Sequence, residues 1–165
     1  MDVVTRAELF AVAAHRAIGH RRKYTGECYT VHLREVAELV AQHGGTPPMV
    51  AAAWLHDVVE DTHVTQEDVA EWFDPEVSEL VDWLTDVSKP EDGNRALRKA
   101  MDRDHLARAP KDAQTIKYCD LISNARSIAK HDRAFAKVFL REKAELLAVM
   151  DKGDAELRRL AMSGP

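Results

Sequence analysis

The segment from Pro47 to Leu55 is apolar on nearly every side, and no other feature restricts the fold as much. Prolines are well placed in the first turn of a helix, where a missing backbone N–H costs nothing. Such a helix has no polar face to turn towards water, so it has to be buried on all sides. The sequence therefore predicts a central helix that other elements surround.

The remaining patterns are helical too, and none shows the strict alternation of a half-buried strand. Thr5 and Glu8 have capping-box spacing and predict the start of the first helix. Apolar spacing and end signals predict further helices over about 5–18, 31–43, 65–72, 74–87, 95–109, 110–124 and 132–150, with a short one after Gly153. Without repeats or a linker, residues 1–165 are expected to form one all-α domain of about eight to ten helices.

Composition excludes several classes of function. The net charge of −5 gives no general attraction to nucleic acid or an anionic membrane, so an anionic ligand needs a local basic pocket. The longest apolar run, 49–55, is too short to span a bilayer, and we find no secretory signal at the N-terminus. Cys28 and Cys119 fit free thiols in a reducing cytoplasm, the expected location, although a single disulfide stays open.

The end of the apolar helix carries five polar groups within seven residues: His56, Asp57, Glu60, Asp61 and Thr62. On a continuous helix, residues four apart share a face, which pairs the imidazole with one carboxylate and the other two carboxylates with each other. Buried carboxylates need partners, and a divalent ion such as Mn²⁺, Fe²⁺ or Zn²⁺ is one. An exposed helix end with solvated charges is the alternative, and it is the commoner one for an isolated His-Asp pair.

Three further blocks accompany this segment along the chain: Arg22-Lys23, Tyr29 to His32, and Lys117 to Asn124. In this order they resemble the HD-domain metal-dependent phosphohydrolases over about residues 5–150. In detail they resemble the (p)ppGpp hydrolase branch, which includes the hydrolase domain of the bifunctional stringent-response enzymes and the stand-alone small alarmone hydrolases. The chain departs from that pattern in a shorter loop before His32, an unfamiliar stretch over 89–113, and Tyr118-Cys119 where Leu-Ala is usual.

The resemblance implies a role for each matched residue. Four would bind the metal and leave positions open for water and phosphate: His32, His56, Asp57 and Asp120. The metal it implies is Mn²⁺, although chemistry alone does not separate Mn²⁺ from Fe²⁺ or Zn²⁺. Glu60 and Asp61 would position and deprotonate the attacking water. Arg22 and Lys23 would hold the purine, and Asn124 the sugar or the water network.

The implied reaction is hydrolysis of the 3′-pyrophosphate of ppGpp or pppGpp to GDP or GTP and pyrophosphate. The same reaction on (p)ppApp, an HD-family 5′-nucleotidase and a non-catalytic nucleotide sensor are the alternatives. Five basic residues either supply the local positive field or form a solvated helix face: Lys89, Arg95, Arg98, Lys99 and Arg103. The expected partner is a nucleotide, not nucleic acid or membrane, and the choice between monomer and homo-oligomer stays open.

Six histidines share no spacing with the implied metal ligands and are expected at the surface or at helix ends: His15, His20, His43, His63, His105 and His131. A second metal site is not predicted. The chain has no room for a synthetase domain, so the resemblance implies a dedicated hydrolase.

Overall fold

The structure, a computed structural model, describes residues 1–164. These residues form ten α-helices and one 3₁₀ turn, and contain no β-strand beyond an isolated bridge between Arg21 and Cys28. The predicted all-α class and helix number are therefore confirmed. None of the helices in the described part of the chain has the length and apolarity needed to cross a bilayer.

The chain divides into two compact units, residues 1–85 and the residues from 86 onward. The first unit contains α1 (Val3–Ala17), α2 (Thr30–Gln42), α3 (Pro47–Leu55), α4 (Val58–Asp61), α5 (Gln66–Trp72) and α6 (Pro75–Leu84). The second contains the 3₁₀ turn (Pro90–Asp92), α7 (Arg95–Arg108), α8 (Lys111–His131), α9 (Arg133–Val149) and α10 (Ala155–Ser163).

Helix α3 lies at the centre of the first unit, as its composition predicts. Every residue from Met49 to Leu55 is buried, and α1, α2 and α6 all pack against it. The Thr46 hydroxyl accepts a hydrogen bond from the Met49 N–H and caps the helix, with the two prolines in the first turn. This rigid, enclosed helix ends immediately before the motif His56-Asp57.

Two predicted helix ends are wrong, and in each case a carboxylate side chain accepts hydrogen bonds from backbone N–H groups at the helix end. Helix α1 begins at Val3, since the Asp2 carboxylate accepts the N–H of Thr5 at 2.9 Å. Helix α6 ends at Leu84, because the backbone N–H groups at 87 and 88 bond to the buried Asp102 carboxylate at 3.1 and 2.9 Å. These two groups are thereby removed from any continuation of α6.

The second unit differs from prediction along α8 and α9. Helix α8 does not stop near 124 but runs to His131, since no glycine or proline interrupts it. The amphipathic pattern of 132–150 predicts four residues that face inward, and of these Leu147 is buried, whereas three are only partly buried: Phe135, Phe139 and Leu146. Lys143 occupies the buried stripe instead, and desolvation lowers the pKa of its ammonium.

Candidate metal centre and active site

The motif at the end of α3 lies on a break between two helices. Helix α3 ends at Leu55 and α4 begins at Val58, so the continuous helix predicted from sequence is interrupted. Asp57 sits at the break with φ −104° and ψ 1°, and its carbonyl accepts the backbone hydrogen bond from the Asp61 N–H with which α4 begins. His56 and Asp57 therefore lie directly after the C-terminal end of the buried helix, and Glu60 and Asp61 lie on a separate helical turn.

His32, His56 and Asp57 converge in the first unit, as predicted. The Asp57 Oδ2 atom lies 3.0 Å from His56 Nε2 and 3.7 Å from His32 Nε2. The two imidazole rings meet edge to face, with centroids 5.2 Å apart, and both residues are buried. One ligand atom from each of the three residues lies within 4.8 Å of the other two, which is the arrangement of a metal centre.

The donor set fits a first-row divalent ion. His56 Nδ1 lies 2.7 Å from the Ala53 carbonyl oxygen, which can only accept, so Nδ1 carries the proton. The Nε2 lone pair is therefore directed at the space shared with Asp57, as in metal-binding histidines held by a carbonyl. Two imidazoles and a carboxylate suit ions such as Mn²⁺, Fe²⁺ and Zn²⁺.

Tyr29 supports this centre, and sequence reasoning left its role undecided. Its hydroxyl donates a hydrogen bond of 2.6 Å to Asp57 Oδ2, and its ring meets His32 edge to face. The backbone hydrogen bond from the Tyr29 N–H to the His20 carbonyl closes the preceding loop and thereby positions the backbone from which the Tyr29 side chain extends. The signal in the sequence is its position three residues before His32, on the same side of one helical turn.

Asp120 lies on α8 in the second unit, where it is 4% exposed. Its Oδ1 atom accepts a hydrogen bond of 2.7 Å from the Asn124 amide, and its Oδ2 atom lies 2.9 Å from Lys117 Nζ. The motif Lys-x-x-Asp-x-x-x-Asn is thus one connected group, in which a lysine balances the buried carboxylate. The role of Asp120 as a fourth metal ligand stays a prediction.

The two residues expected to activate water, Glu60 and Asp61, are both exposed on α4. Asp61 Oδ2 lies 3.9 Å from His20 Nδ1, so this carboxylate is directed to a histidine of the loop after α1. Their role in handling the proton of the attacking water stays a prediction.

His15 and His20 form a second cluster with Asp61. The expectation that most of the six histidines lie at the surface or cap helices fails for His15, whereas His20 is partly exposed. His15 is fully buried, and its Nδ1 atom lies 3.0 Å from that of His20. The His20 ring stacks on Tyr29 with centroids 3.9 Å apart. Burial lowers the pKa of His15 to about 4 and also lowers that of His20. A signal was present, because His15 continues the buried stripe of Ala7 and Ala11 at four-residue steps.

Arg22 and Lys23 differ in their surroundings. The Arg22 backbone is held in a turn, with its N–H bonded to the Glu27 carbonyl at 2.9 Å. Its Nη1 atom is buried and has no hydrogen-bond partner in the described structure. Lys23 is exposed, and its Nζ atom lies 5.1 Å from the centre of the Tyr24 ring. Arg22 therefore offers a buried donor to a ligand, as a base-binding residue needs.

The basic residues of α7 are largely matched by carboxylates of their own unit. Arg95 makes a bidentate pair with Glu142, with N–O distances of 2.8 and 2.7 Å. Arg103 lies 2.8 Å from Glu145, a pair that again joins α7 to α9. Lys99 also pairs with a carboxylate, on Asp86 at 3.3 Å. These pairs favour a structural role for Arg95 and Arg103 over a field for phosphate.

The model of the HD domain family matches residues 7–150, and the chain belongs to that family. This family implies a divalent metal, in agreement with the convergence of His32, His56 and Asp57. That the domain extends over all of residues 1–165 stays a prediction.

Curated relatives match parts of the chain. A protein of Synechocystis sp. named probable guanosine-3′,5′-bis(diphosphate) 3′-pyrophosphohydrolase is 39% identical over 87 residues, or 53% of this chain and 11% of the relative. A probable GTP pyrophosphokinase of Mycobacterium leprae is 35% identical over 132 residues, or 78% of this chain and 16% of the relative. The chain thus spans only a small part of the length of the relatives it matches.

Among solved structures, one published as a metazoan orthologue of SpoT that hydrolyses ppGpp has the same fold. It superposes with a TM-score of 0.86 over 98% of this chain and 92% of its own, at 24% sequence identity. A protein of Listeria monocytogenes matches with a TM-score of 0.65 over 83% of this chain, also at 24% identity. At this identity the likeness establishes the HD-domain fold alone.

Proposed function

We propose that this chain hydrolyses the 3′-pyrophosphate of ppGpp or pppGpp, releasing pyrophosphate and GDP or GTP, with Mn²⁺ as its cofactor. The observation that carries the proposal is the convergence of His32, His56 and Asp57, with the tautomer of His56 set by the Ala53 carbonyl. Relatives in Synechocystis sp. and Aquifex aeolicus that carry the matching sequence are named as 3′-pyrophosphohydrolases of this nucleotide.

The residues of the centre would hold the ion and keep it in place. His32 and His56 supply neutral imidazoles, Asp57 supplies charge, and the Tyr29 hydroxyl restrains the Asp57 carboxylate. We retain Asp120 as the fourth ligand on its match to the motif. A divalent ion bound there supplies Lewis acidity towards a phosphate oxygen and lowers the pKa of water.

Glu60 and Asp61 would handle the proton of the attacking water. Both carboxylates lie on the turn directly after Asp57, and both are open to solvent. A carboxylate in such a position orients water by accepting its hydrogen bond and takes the proton as the new P–O bond forms. The bond between that phosphorus and the ribose 3′ oxygen then breaks, the 3′ oxygen takes up a proton to become a hydroxyl, and pyrophosphate is released.

Recognition of the nucleotide would rest on Arg22, Lys23 and Asn124. The buried, unpartnered Arg22 Nη1 atom supports a role in holding the purine, since a guanidinium both stacks and donates hydrogen bonds in a fixed plane. Lys23 is exposed beside Arg22 in the chain, and we propose that it helps to hold the purine as well. Asn124 would contact the sugar or the water network while its amide donates to Asp120.

The cysteines support the expected setting, whereas the ligand set alone does not select the metal. Cys28 and Cys119 are both free, which fits the reducing cytoplasm. Two imidazoles and a carboxylate bind Fe²⁺ or Zn²⁺ at least as tightly as Mn²⁺, so the choice of Mn²⁺ rests on the resemblance to the alarmone hydrolases.

The test is to incubate metal-free protein with Mn²⁺ and, separately, ppGpp, ppApp and GMP, and to identify the phosphate species released. We expect pyrophosphate from ppGpp, and no product after addition of a chelator. Pyrophosphate from ppApp alone would replace guanine by adenine in the proposal. Orthophosphate from GMP alone would assign the chain to the nucleotidases and overturn the proposal.

A further inference from the structure

A second group of metal-ligating side chains lies in the first unit, outside the centre described above. His15 at the end of α1, His20 in the following loop and Asp61 at the end of α4 each place one ligand atom within 4.8 Å of the other two. We propose that these three residues form a second divalent-cation site, suited to a borderline first-row ion such as Zn²⁺ or Co²⁺.

The three ligand atoms lie close enough together to reach one ion after the side chains adjust. Two ligand atoms that each lie about 2.1 Å from one ion are separated by about 3.0 to 3.4 Å in octahedral or tetrahedral geometry. The two Nδ1 atoms of His15 and His20 are 3.0 Å apart and share a hydrogen bond, so an ion would take the place of the shared proton; Asp61 Oδ2 is 3.9 Å from His20 Nδ1. The Asp61 side chain is 34% exposed, so a small rotation brings its oxygen to the ion.

The two histidines are close to the form that an ion needs. Burial lowers the pKa of His15 to about 4, so its imidazole is neutral near pH 7, and only the one proton shared between the two Nδ1 atoms has to be displaced by an ion. His15, His20 and Tyr29 stack with interplanar angles of 11° to 20°. Stacking on Tyr29 restrains both imidazole rings beside each other, so the change needed for both nitrogens to bind one ion is a local rotation of the rings.

His15 is buried at a cost to the fold, which is a separate reason to look for a function of its ring. Its side chain is fully enclosed, yet its Nε2 atom has no hydrogen-bond partner in the described structure. A buried polar ring that is incompletely paired destabilises the fold unless function requires it. An alanine or leucine would fill the end of the stripe formed by Ala7 and Ala11 without that cost.

The second site is open on one side and linked to the first. Asp61 is exposed and His20 is partly exposed, so an ion has a route from solvent. Tyr29 stacks on His20 with its ring and donates to Asp57 with its hydroxyl. The proposed function uses the Asp61 carboxylate to activate water. An ion bound to Asp61 would therefore compete with that role, and this one consequence rests on the proposed function.

The experiment counts ions. Metal-free full-length protein is titrated with Zn²⁺ alone by calorimetry, and bound zinc per chain is measured after gel filtration. We expect two ions in the wild type, one in His20→Gln and one in Asp57→Asn. The control His43→Gln should still bind two ions, since the His43 ring bonds only to the Leu39 carbonyl at the end of α2.

The inference is overturned if His20→Gln binds as many ions as the wild type, whether the wild type binds one ion or two. Asp61→Asn serves as the second variant should His20→Gln fail to keep its helical circular dichroism. An ion retained by Asp57→Asn and lost in His20→Gln would support the second site even if no nucleotide is hydrolysed. Failure of the proposed function and failure of this inference are thereby distinguished.

Discussion

The hydroxyl of Tyr29 offers the sharpest perturbation of the proposed metal centre. Tyr29→Phe removes one oxygen, the donor that lies 2.6 Å from Asp57 Oδ2. The aromatic ring that stacks on His20 and contacts His32 stays in place. The substitution therefore removes the restraint on the carboxylate while leaving the packing around it.

The expected size follows from the chemistry of that hydrogen bond. A bond to an ionised carboxylate contributes about 1.5 to 3 kcal/mol, and Asp57 is only 15% exposed, so water replaces the lost donor incompletely. Loss of a partner that orients a metal ligand typically costs about 10- to 100-fold in metal affinity or activity. We expect the Kd for Mn²⁺ to rise by about 10-fold or more.

The assay is calorimetric titration of metal-free protein with Mn²⁺, with Tyr24→Phe as the matched control. Tyr24 lies in the same loop, and its ring faces Lys23. The control should keep the Mn²⁺ affinity of the wild type. Equal affinity in Tyr29→Phe and the wild type would show that the hydroxyl does not orient Asp57, and would refute this reasoning.

Three further predictions concern stability and catalysis. The pKa of His15 is lowered from 6.5 to about 4, so the unfolded chain takes up the proton first as pH falls. The free energy of unfolding of the metal-free protein should therefore fall by about 3 kcal/mol between pH 7 and pH 4. A free energy from urea unfolding that does not change over this range would contradict the prediction. Asp102→Ala leaves two backbone N–H groups and the Ser88 hydroxyl without their acceptor, and should lower the free energy of urea unfolding by about 2 kcal/mol. The control Asp104→Ala removes an exposed carboxylate of the same helix and should change that free energy little. Equal losses in the two variants would refute the role of the buried carboxylate. Glu60→Ala should keep the metal content of the wild type and lose turnover, measured as zinc or manganese per chain and pyrophosphate release; unchanged turnover would remove Glu60 from the reaction.

The central helix and the metal centre could be predicted because their signals are local. An apolar helix with no polar face has to be buried, and α3 is. The pair His56-Asp57 follows it directly in the chain, and His32 lies in the first turn of the next amphipathic helix along from α1. Their spacing matched a known motif, so three residues that converge in space could be named from sequence.

Several of the failures come from partners that are distant in the chain. The end of α6 is set by Asp102, 15 residues beyond the N–H group at 87 that it binds, and no local pattern reports such a bond. The cluster of His15 and His20 could not be predicted for the same reason, because its third member, Asp61, lies about forty residues further along the chain. Tyr29 could be placed beside His32, but its bond to Asp57 depends on how α2 and α3 pack.

The measurement that tests the central claim most directly compares Asp57→Ala with the wild type for Mn²⁺ binding and pyrophosphate release from ppGpp. The matched control is Asp82→Ala, which removes an exposed carboxylate of α6 from the same unit. The account predicts that the wild type and Asp82→Ala bind Mn²⁺ and release pyrophosphate, while Asp57→Ala loses tight binding and activity together. Full activity in Asp57→Ala would contradict the assignment of the metal centre to His32, His56 and Asp57.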